Sequence, residues 1–520
     1  MRIRRRSRRI LLPALTALAV SASLGMRGSG FAFPAVDVYA GTSVTDSAAA
    51  GSADKKTVTL RICNWEEYID TGDWAEDEKI ELSDGEIFGE NPMIEDFEDW
   101  YYETSGTRVK VEYSTFGTNE DLYNMLTLGD VYDLVCPSEY MIMKLMAEKK
   151  LVPLSEDFFD EENPENYYQR GVSPYIRRIF DTKEINHETW GKYAAGYMWG
   201  VTGLVYNPEQ VTKEDASTWK ILTNPAYHRR ITIKDNVRDS YFVAIAALKS
   251  EKLTDDTFTQ DPDYPELLEE EMNDTSPETV EQVQDYLQSA CGNVYSFETD
   301  SGKSDMITGK IAANYQWSGD AVYAMDQAEE DGVKLAFSVP EEATNIYFDG
   351  WCMLKSGIGD DKEKQKAAEA FINFVSRPDN VLRNMYYIGY TSVISGGSDN
   401  RIFEYLKNNY EADPDEEDTV SYDLNYFFAG DADGPYRITI PQDQSNRQLA
   451  AQYPGMETIG RSSLMLYFDP EQSRVINRMW VNVRCYNIRK ASLPAWILMG
   501  IFAAGIVWLA FRRIRSIFVK

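Results

Sequence analysis

Patterns typical of strands and helices alternate along the chain, and this alternation limits the fold more than any other feature of the sequence. Strand patterns lie at residues 58–63, 108–113 and 132–136, and helical patterns lie at 119–128 and 140–149. Such alternation predicts a largely parallel sheet with helices on both faces. We therefore predict an α/β fold, in which ligands bind beyond the carboxyl ends of the strands.

Both ends of the chain carry targeting signals. Clustered arginines and then an apolar stretch predict a signal peptide at residues 1–40, followed by a small-residue linker at 41–56; an uncleaved N-terminal anchor is the alternative. Residues 493–511 form an uncharged run of 19 residues, which as a helix reaches roughly 28 Å, about one hydrocarbon thickness. We predict a transmembrane helix there and, by the positive-inside rule, a cytoplasmic tail at 512–520. The expected location is the cell membrane, with a single span and an extracytoplasmic body.

Composition excludes several classes of function. The chain has 84 Asp and Glu residues against 52 Lys and Arg, a formal net charge of −32, so we expect no nucleic-acid surface. An acidic body attracts cations, although solubility alone also accounts for such a charge. With two histidines and five cysteines in no ligand pattern, we expect neither a metal nor another cofactor. Cys63 and Cys136 lie in predicted core strands, either as buried thiols or as a disulfide.

Aromatic and acidic residues occur together where the predicted strands end. Residues 64–68 read NWEEY and residues 137–140 read PSEY, and later stretches read WSGD at 317–320 and YFDGW at 347–351. This combination suits an alkyl ammonium ion, because rings give cation–π contacts and carboxylates give charged hydrogen bonds. The same residues also suit an extracellular glycoside hydrolase with paired carboxylates and aromatic sugar platforms. Taken singly, each motif is more often a feature of the core or of a turn.

An ordered set of motifs resembles a known family. The set comprises LRICNWEEY (60–68), YSTFGTNEDLYNML (113–126), YDLVCPSEY (132–140), YMWGVTGLVYN (197–207), WSGD (317–320), FD (348–349), FINFVSRP (371–378), IGYT (388–391) and DPEQSRVINRMWVNVR (469–484). Together these stretches resemble the spermidine/putrescine-binding proteins of polyamine ABC importers, a group of bacterial extracellular solute-binding proteins. The resemblance covers residues 57–484 apart from acidic insertions at 71–90 and 411–418, which we expect to be solvated loops.

The resemblance implies a two-lobed periplasmic-binding-protein fold of type II, with the ligand clamped between discontinuous lobes. Residues 57–202 and 345–400 are the expected first lobe, and residues 203–344 and 401–490 are the expected second lobe. The resemblance also implies a receptor rather than an enzyme. Its monomeric body would deliver a polyamine, such as putrescine or spermidine, to the permease subunits and the ATPase of an ABC importer.

Carried over position by position, the resemblance implies a set of ligand-binding side chains whose rings line the cleft and whose carboxylates and hydroxyls hold the amines. The set is Trp65, Glu67, Tyr68, Ser138, Tyr140, Asp239, Trp317, Asp320, Tyr347, Asp349 and Tyr390. Two neighbours depart from the family pattern and join the set as weaker candidates. Glu66 adds a charge near one end of the cleft, and Asn236 stands where spermidine-preferring members carry an Asp. Since Asp320 matches an acid of putrescine-selective members, the preferred amine stays open, and the same fold binding another cationic metabolite is an alternative.

Overall fold

A computed structural model describes residues 57–430, 433–485 and 493–518, and the predicted signal peptide and linker lie outside these ranges. Its strands are β1 (Val58–Trp65), β2 (Ile80–Leu82), β3 (Gly85–Ile87), β4 (Val109–Phe116), β5 (Leu134–Val135), β6 (Leu151–Val152), β7 (Glu184–Ile185), β8 (Glu188–Thr189), β9 (Ala194–Tyr206), β10 (Ile231–Lys234), β11 (Ser296–Glu298), β12 (Ala313–Trp317), β13 (Ala336–Ser338), β14 (Thr344–Leu354), β15 (Thr391–Ser392), β16 (Thr419–Asp423), β17 (Arg437–Pro441) and β18 (Ser462–Ser463).

Helices lie between most of these strands and after the last one. They are α1 (Met93–Ser105), α2 (Asn119–Leu128), α3 (Glu139–Ala147), α4 (Tyr167–Gly171), α5 (Pro174–Thr182), α6 (Lys213–Ala216), α7 (Val237–Leu248), α8 (Ser250–Leu253), α9 (Asp256–Thr259), α10 (Tyr264–Met272), α11 (Pro277–Asn293), α12 (Ser301–Ile307), α13 (Ser318–Glu330), α14 (Lys362–Val375), α15 (Pro378–Ile388), α16 (Arg401–Tyr410), α17 (Asn425–Phe428), α18 (Gln448–Gln452), α19 (Met456–Gly460), α20 (Pro470–Arg484) and α21 (Leu493–Phe518). The predicted α/β alternation is therefore present in the described part of the chain.

The main sheet has the strand order β11-β10-β12-β9-β14-β5-β1-β4. We call the strands β1, β4, β5, β6 and β15 half A of the sheet, and β10, β11, β12, β13 and β18 half B. The same names are used for the helices and loops that adjoin these strands. The strands β1, β4 and β5 pair in parallel, and so do β10, β11 and β12. This agrees with the parallel pairing that the sequence predicts within each half.

The two longest strands, β9 and β14, join the halves and run antiparallel to each other. The chain passes from half A to half B along β9 and returns along β14, so the two strands have opposite directions. Every residue of both strands is buried, since helices cover the sheet on both faces. Their pairing shifts register between Asp349 and Gly350, a β-bulge in the middle of the sheet.

Local sequence signals account for the bounds of the helix α2. The helix α2 has the predicted bounds, because the hydroxyl oxygen of Thr118 accepts a hydrogen bond from the backbone N–H of Asp121 and Gly129 ends the helix in the left-handed region. Cys63 lies in β1 and Cys136 directly follows β5, which pairs with β1. All five cysteines are free thiols in the structure, so the alternative of a disulfide between these two is wrong.

The acidic insertion at 71–90 is not the solvated loop that its composition predicts. It contains the β2–β3 hairpin, and the side chains of Trp74 and Ile80 are buried. The carboxylate of Asp70, just before the insertion, accepts hydrogen bonds from the Trp74 indole N–H (3.1 Å) and from the Arg383 Nε (2.9 Å). The insertion is folded because its few apolar residues find a surface on α15, where the ring of Tyr386 lies 4.6 Å from that of Trp74.

The segment after residue 400 contacts both halves of the molecule. Its first part lies against half A, where the Ser173 hydroxyl donates a 2.6 Å hydrogen bond to the backbone oxygen of Phe427. Its later part lies against half B, where Arg447 forms a 2.8 Å ion pair with Glu329 of α13. The lobe boundaries expected from the resemblance, including the one at residue 400, stay a prediction.

The last helix, α21, contains the predicted transmembrane segment at 493–511. Within the residues whose side chains are described, the structure contains no helix long and apolar enough to cross a membrane. Residues 495 and 509–511 of that segment lie outside this set, and so do the side chains of the predicted cytoplasmic tail at 512–520.

Substitution of Arg383 tests how much its buried ion pair with Asp70 stabilises the fold around the insertion. We expect Arg383→Ala to lower the free energy of unfolding by about 3–5 kcal/mol, because it leaves the Asp70 carboxylate buried without its cation. Urea denaturation followed by tryptophan fluorescence measures this change. Arg61→Ala removes an exposed pair with Glu112 and should cost at most about 1 kcal/mol. Equal losses in the two variants would contradict a structural role for the Arg383 pair.

Candidate ligand-binding site

The aromatic and acidic motifs converge where half A and half B face each other. Trp65 ends β1 in half A and Trp317 ends β12 in half B, and their ring centroids lie 6.5 Å apart in an edge-to-face arrangement. Ser138 follows β5 and forms an isolated β-bridge with Asp349 of β14. The sheet topology therefore brings together residues that lie far apart in the chain, such as Tyr68 and Asp349, which are 281 residues apart.

Asp349 lies at the bulge of β14, and its carboxyl group is buried. Its side chain accepts hydrogen bonds from the Tyr68 hydroxyl (2.6 Å) and the Ser138 hydroxyl (2.7 Å). Among the described residues, no Lys, Arg or His forms an ion pair with it. Burial raises the pKa of Asp349 to about 6, against the opposing effect of the two hydroxyls. A buried carboxylate in this setting can accept a cation as its partner.

Tyrosine rings enclose the space around Asp349. The Tyr68 ring makes edge-to-face contacts with Tyr390, at 4.8 Å between centroids, and with Tyr197, at 5.6 Å. The Tyr347 hydroxyl lies 3.4 Å from the Ser318 hydroxyl. A Cβ atom on Gly319 would lie 2.2 Å from the Tyr390 ring, so only glycine permits this close approach at the start of α13.

At the half B end of the cleft, Asp239 lies in the first turn of α7. The Trp317 indole N–H donates a 3.3 Å hydrogen bond to its carboxylate, and burial raises the pKa of Asp239 to about 6 while Lys234 opposes that rise. Asn236 is the N-cap of α7, and its side-chain oxygen accepts hydrogen bonds from the backbone N–H groups of Arg238 (2.8 Å) and Asp239 (3.3 Å). Asn236 therefore positions Asp239.

Two lysines that the sequence analysis did not single out lie beside Asp320. The Lys234 ammonium lies 3.9 Å from the centre of the Trp317 ring and 3.8 Å from the Asp320 carboxylate, and it donates a 2.8 Å hydrogen bond to the Thr299 backbone oxygen. The Lys303 ammonium lies 3.5 Å from Asp320. Unlike Asp349, the acid of the WSGD motif already has cations of the protein next to it.

Arg238 spans the interface between the halves. Its guanidinium group lies 4.4 Å from the centre of the Tyr140 ring in half A and 3.8 Å from that of Phe468, and it donates a 2.6 Å hydrogen bond to the Leu466 backbone oxygen. The Tyr140 hydroxyl in turn donates to the Glu120 carboxylate at 3.2 Å. Burial raises the pKa of Glu120, and the charge of Arg238 opposes that rise.

Most of the implied site residues meet at the interface between the halves. These are Trp65, Tyr68, Ser138, Tyr140, Asp239, Trp317, Asp320, Tyr347, Asp349 and Tyr390. Glu66 and Glu67 are exposed at the rim, where the Glu67 carboxylate lies 3.7 Å from the Lys303 ammonium. A role of these residues in ligand binding stays a prediction.

Sequence reasoning missed the cations of the cleft although the relevant stretch was in view. Residues 234–239 read KDNVRD, and Asn236 and Asp239 were predicted as ligand contacts while Lys234 and Arg238 were not. The signal was present in the spacing. Lys234 and Arg238 each lie two residues from Asn236, the N-cap of α7, and therefore lie near the same strand ends. Across the described residues, no group of three or more His, Cys, Asp and Glu side chains is arranged to hold a metal.

Two surface cavities lie away from this cleft. One of about 410 Å³ is lined by residues of α16 and by Pro435 and Tyr436, and one of about 370 Å³ lies beside α5. Neither is lined by an implied site residue. The cleft between the halves remains the candidate site, because the aromatic rings and the buried acids lie there together.

Comparison with known proteins gives relatives of one kind. A 353-residue stretch is 24% identical to a spermidine/putrescine-binding periplasmic protein of Salmonella typhimurium and covers 68% of this chain and 81% of the relative. A 364-residue stretch is 25% identical to a putrescine-binding periplasmic protein of Escherichia coli and covers 68% of this chain and 82% of the relative. These relatives are solute-binding proteins, which does not favour the glycoside hydrolase alternative.

Solved structures share the fold. A spermidine/putrescine ABC transporter substrate-binding protein from Streptococcus pneumoniae aligns with a TM-score of 0.52 and 23% identity, over 83% of this chain and 99% of that one. A putative spermidine/putrescine ABC transporter protein from Listeria monocytogenes aligns with a TM-score of 0.56 and 21% identity, over 82% and 99% of the two chains. The chain therefore has an α/β fold like that of periplasmic binding proteins.

The family assignment comes from the sequence profile. The profile described as bacterial extracellular solute-binding protein matches residues 93–414, which is more than half of the chain. The matched region includes the site residues from Ser138 to Tyr390 and both strands that join the halves of the sheet. The chain belongs to the bacterial extracellular solute-binding protein family.

Proposed function

We propose that this protein is the extracytoplasmic substrate-binding component of an ABC importer for polyamines. Its partners would be the permease subunits and the ATPase of that importer, and its ligand an amine such as putrescine or spermidine. The names of its relatives support this ligand class. The proposed role involves no chemistry on the ligand.

The observation that carries the proposal is the environment of Asp349. Its carboxylate is enclosed, receives two hydroxyl hydrogen bonds and is surrounded by tyrosine rings. An ammonium group that leaves water needs a carboxylate of this kind, because desolvation is acceptable only against an opposite charge and further hydrogen bonds. The rings give the adjoining methylene groups an apolar surface and add cation–π attraction.

Closure of the cleft would couple binding to recognition by the permease. We propose a two-lobed protein of type II, in which Trp65 and Tyr68 belong to one lobe and Trp317 and Asp239 to the other. A ligand that contacts both lobes stabilises the closed state relative to the open one. The surface formed on closure is then what the permease recognises.

Membrane anchoring through residues 493–511 is a further part of the proposal. The supporting observation is that side chains at the start of α21 are large, apolar and exposed, including Leu498 and Phe502, which are 66% and 73% exposed. A cluster of such side chains on one helix needs an apolar partner, and a bilayer provides one.

Loss of the carboxylate charge tests the ligand site directly. The measurement is calorimetric titration of the full chain in detergent with putrescine, spermidine and cadaverine. We expect Asp349→Asn to lower the affinity for the most tightly bound amine by about 30-fold or more, as removal of a buried charge partner does. Asp443→Asn, which removes an exposed acid paired with Lys334, is the matched control and should keep full affinity. Absence of heat with all three amines, on folded wild-type protein free of carried-over ligand, would contradict polyamine binding.

The raised pKa of Asp349 predicts a pH dependence of binding. An ammonium binds the ionised carboxylate, so the affinity should be constant above pH 7 and fall as the pH drops through about 6, the pKa of the free site. Below that pH the loss approaches about tenfold per pH unit for each carboxylate that must ionise. Titrations at pH 8, 7, 6 and 5 measure the profile. A profile that is flat from pH 8 to 5 would show that no such carboxylate binds the amine.

Deletion of the last segment tests the anchor. A chain ending at Lys490 should move from the membrane fraction to the soluble fraction of expressing cells and keep its amine affinity. Fractionation followed by immunoblotting measures the distribution. If the full chain were already soluble, or if the truncated chain stayed with the membrane, residues 493–511 would not be the anchor.

A further inference from the structure

The two ends of the cleft differ in whether their acids already have cations. At the half A end, the carboxylate of Asp349 contacts the hydroxyls of Tyr68 and Ser138 and forms no ion pair with a described residue. At the half B end, the Lys234 ammonium is 3.8 Å from Asp320 and also interacts with the charges of Glu298 and Asp239. Among the described residues, Asp349 therefore has no cation of the protein in ion-pair contact, whereas Asp320 has one.

Lys234 stands where a ligand ammonium would otherwise be expected. Its ammonium lies 3.9 Å from the centre of the Trp317 ring, the contact distance of a cation–π interaction, and its side chain is only 1% exposed. Trp317 is also one of the rings that the resemblance implies as lining the cleft. One face of that platform therefore already carries an alkyl ammonium, supplied by the chain itself.

The position of Lys234 is fixed by its surroundings. It is the last residue of β10, and its ammonium donates a 2.8 Å hydrogen bond to the Thr299 backbone oxygen. Its neighbour Lys303 lies 3.5 Å from Asp320 and 2.7 Å from Asp300, so a second protein cation approaches the same acid from the rim. A second ligand ammonium at this end would face two like charges.

We infer that Lys234 acts as a built-in ammonium at the Trp317 end of the cleft. The site therefore binds amines through a single ligand ammonium, which pairs with Asp349. This inference rests on the proposed function and narrows its ligand class. The favoured ligand is a short primary amine, and the second charge of a diamine contributes little to its affinity. Longer polyamines, which carry further ammonium groups past Trp317, are disfavoured.

A matched pair of ligands tests the inference. Putrescine and n-butylamine have the same four-carbon chain, and they differ in whether the far end is an ammonium or a methyl group. In calorimetric titrations of the full chain in detergent, we expect the two affinities to lie within about threefold in the wild type. Lys234→Met keeps the length of the side chain and removes its charge. In this variant the affinity for putrescine should rise at least about tenfold relative to that for butylamine, because a buried polar site that has lost its partner favours the ligand that replaces it.

A surface variant controls for the loss of a lysine as such. Lys310→Met removes a cation of half B that pairs with Asp305 outside the cleft, and it should keep the wild-type ratio of the two affinities. Thermal melting shows whether Lys234→Met is folded. The wild-type ratio tests the inference even if that variant does not fold.

The outcomes separate this inference from the proposed function. Putrescine binding more than about tenfold tighter than butylamine in the wild type would overturn the inference while leaving an amine receptor intact. An equal ratio in the wild type and in folded Lys234→Met would also overturn it. No binding of either amine, nor of spermidine, would overturn the proposed function and this inference with it.

Discussion

The antiparallel pairing of β9 with β14 is the interaction on which the rest of the structure depends. These two strands are the path by which the chain enters half B and returns to half A, and all their residues are buried. The bulge at Asp349 and Gly350 turns the Asp349 side chain toward Ser138 and Tyr68. Without this pairing, the strand ends that carry Trp65 and Trp317 would have no fixed relation to each other.

Charge balance in the cleft follows from that arrangement. Bringing the two halves together gathers buried acids, and each such acid needs hydrogen bonds or a cation when water is excluded. The chain supplies Lys234 and Lys303 beside Asp320, and it supplies only hydroxyls to Asp349. In the proposed function, a cationic ligand would supply the charge that Asp349 lacks.

The sequence predicted the local elements well where a single signal sufficed. The strand patterns at 58–63 and 108–113 and the helical pattern at 119–128 match β1, β4 and α2 within a few residues. The prediction failed for the insertion after Asp70, because charged residues dominate its composition and two buried side chains, Trp74 and Ile80, decide its fold. Asn236 was predicted as a ligand contact, and its role as a helix cap became visible only once α7 had a defined start.

The sequence by itself determined the α/β class, the acidic character and the aromatic-acidic motifs that indicate an amine ligand, since these follow from periodicity, composition and local order. Only the tertiary structure decided which charges face one another. Lys234 and Asp320 are 86 residues apart, and Tyr68 and Asp349 are 281 residues apart. The first contact depends on the pairing of β10 with β12, and the second on the pairing of β5 with both β1 and β14. Whether an acid is free for a ligand or already paired depends on such distances, because electrostatic interactions in a buried site act between neighbours in space rather than in sequence.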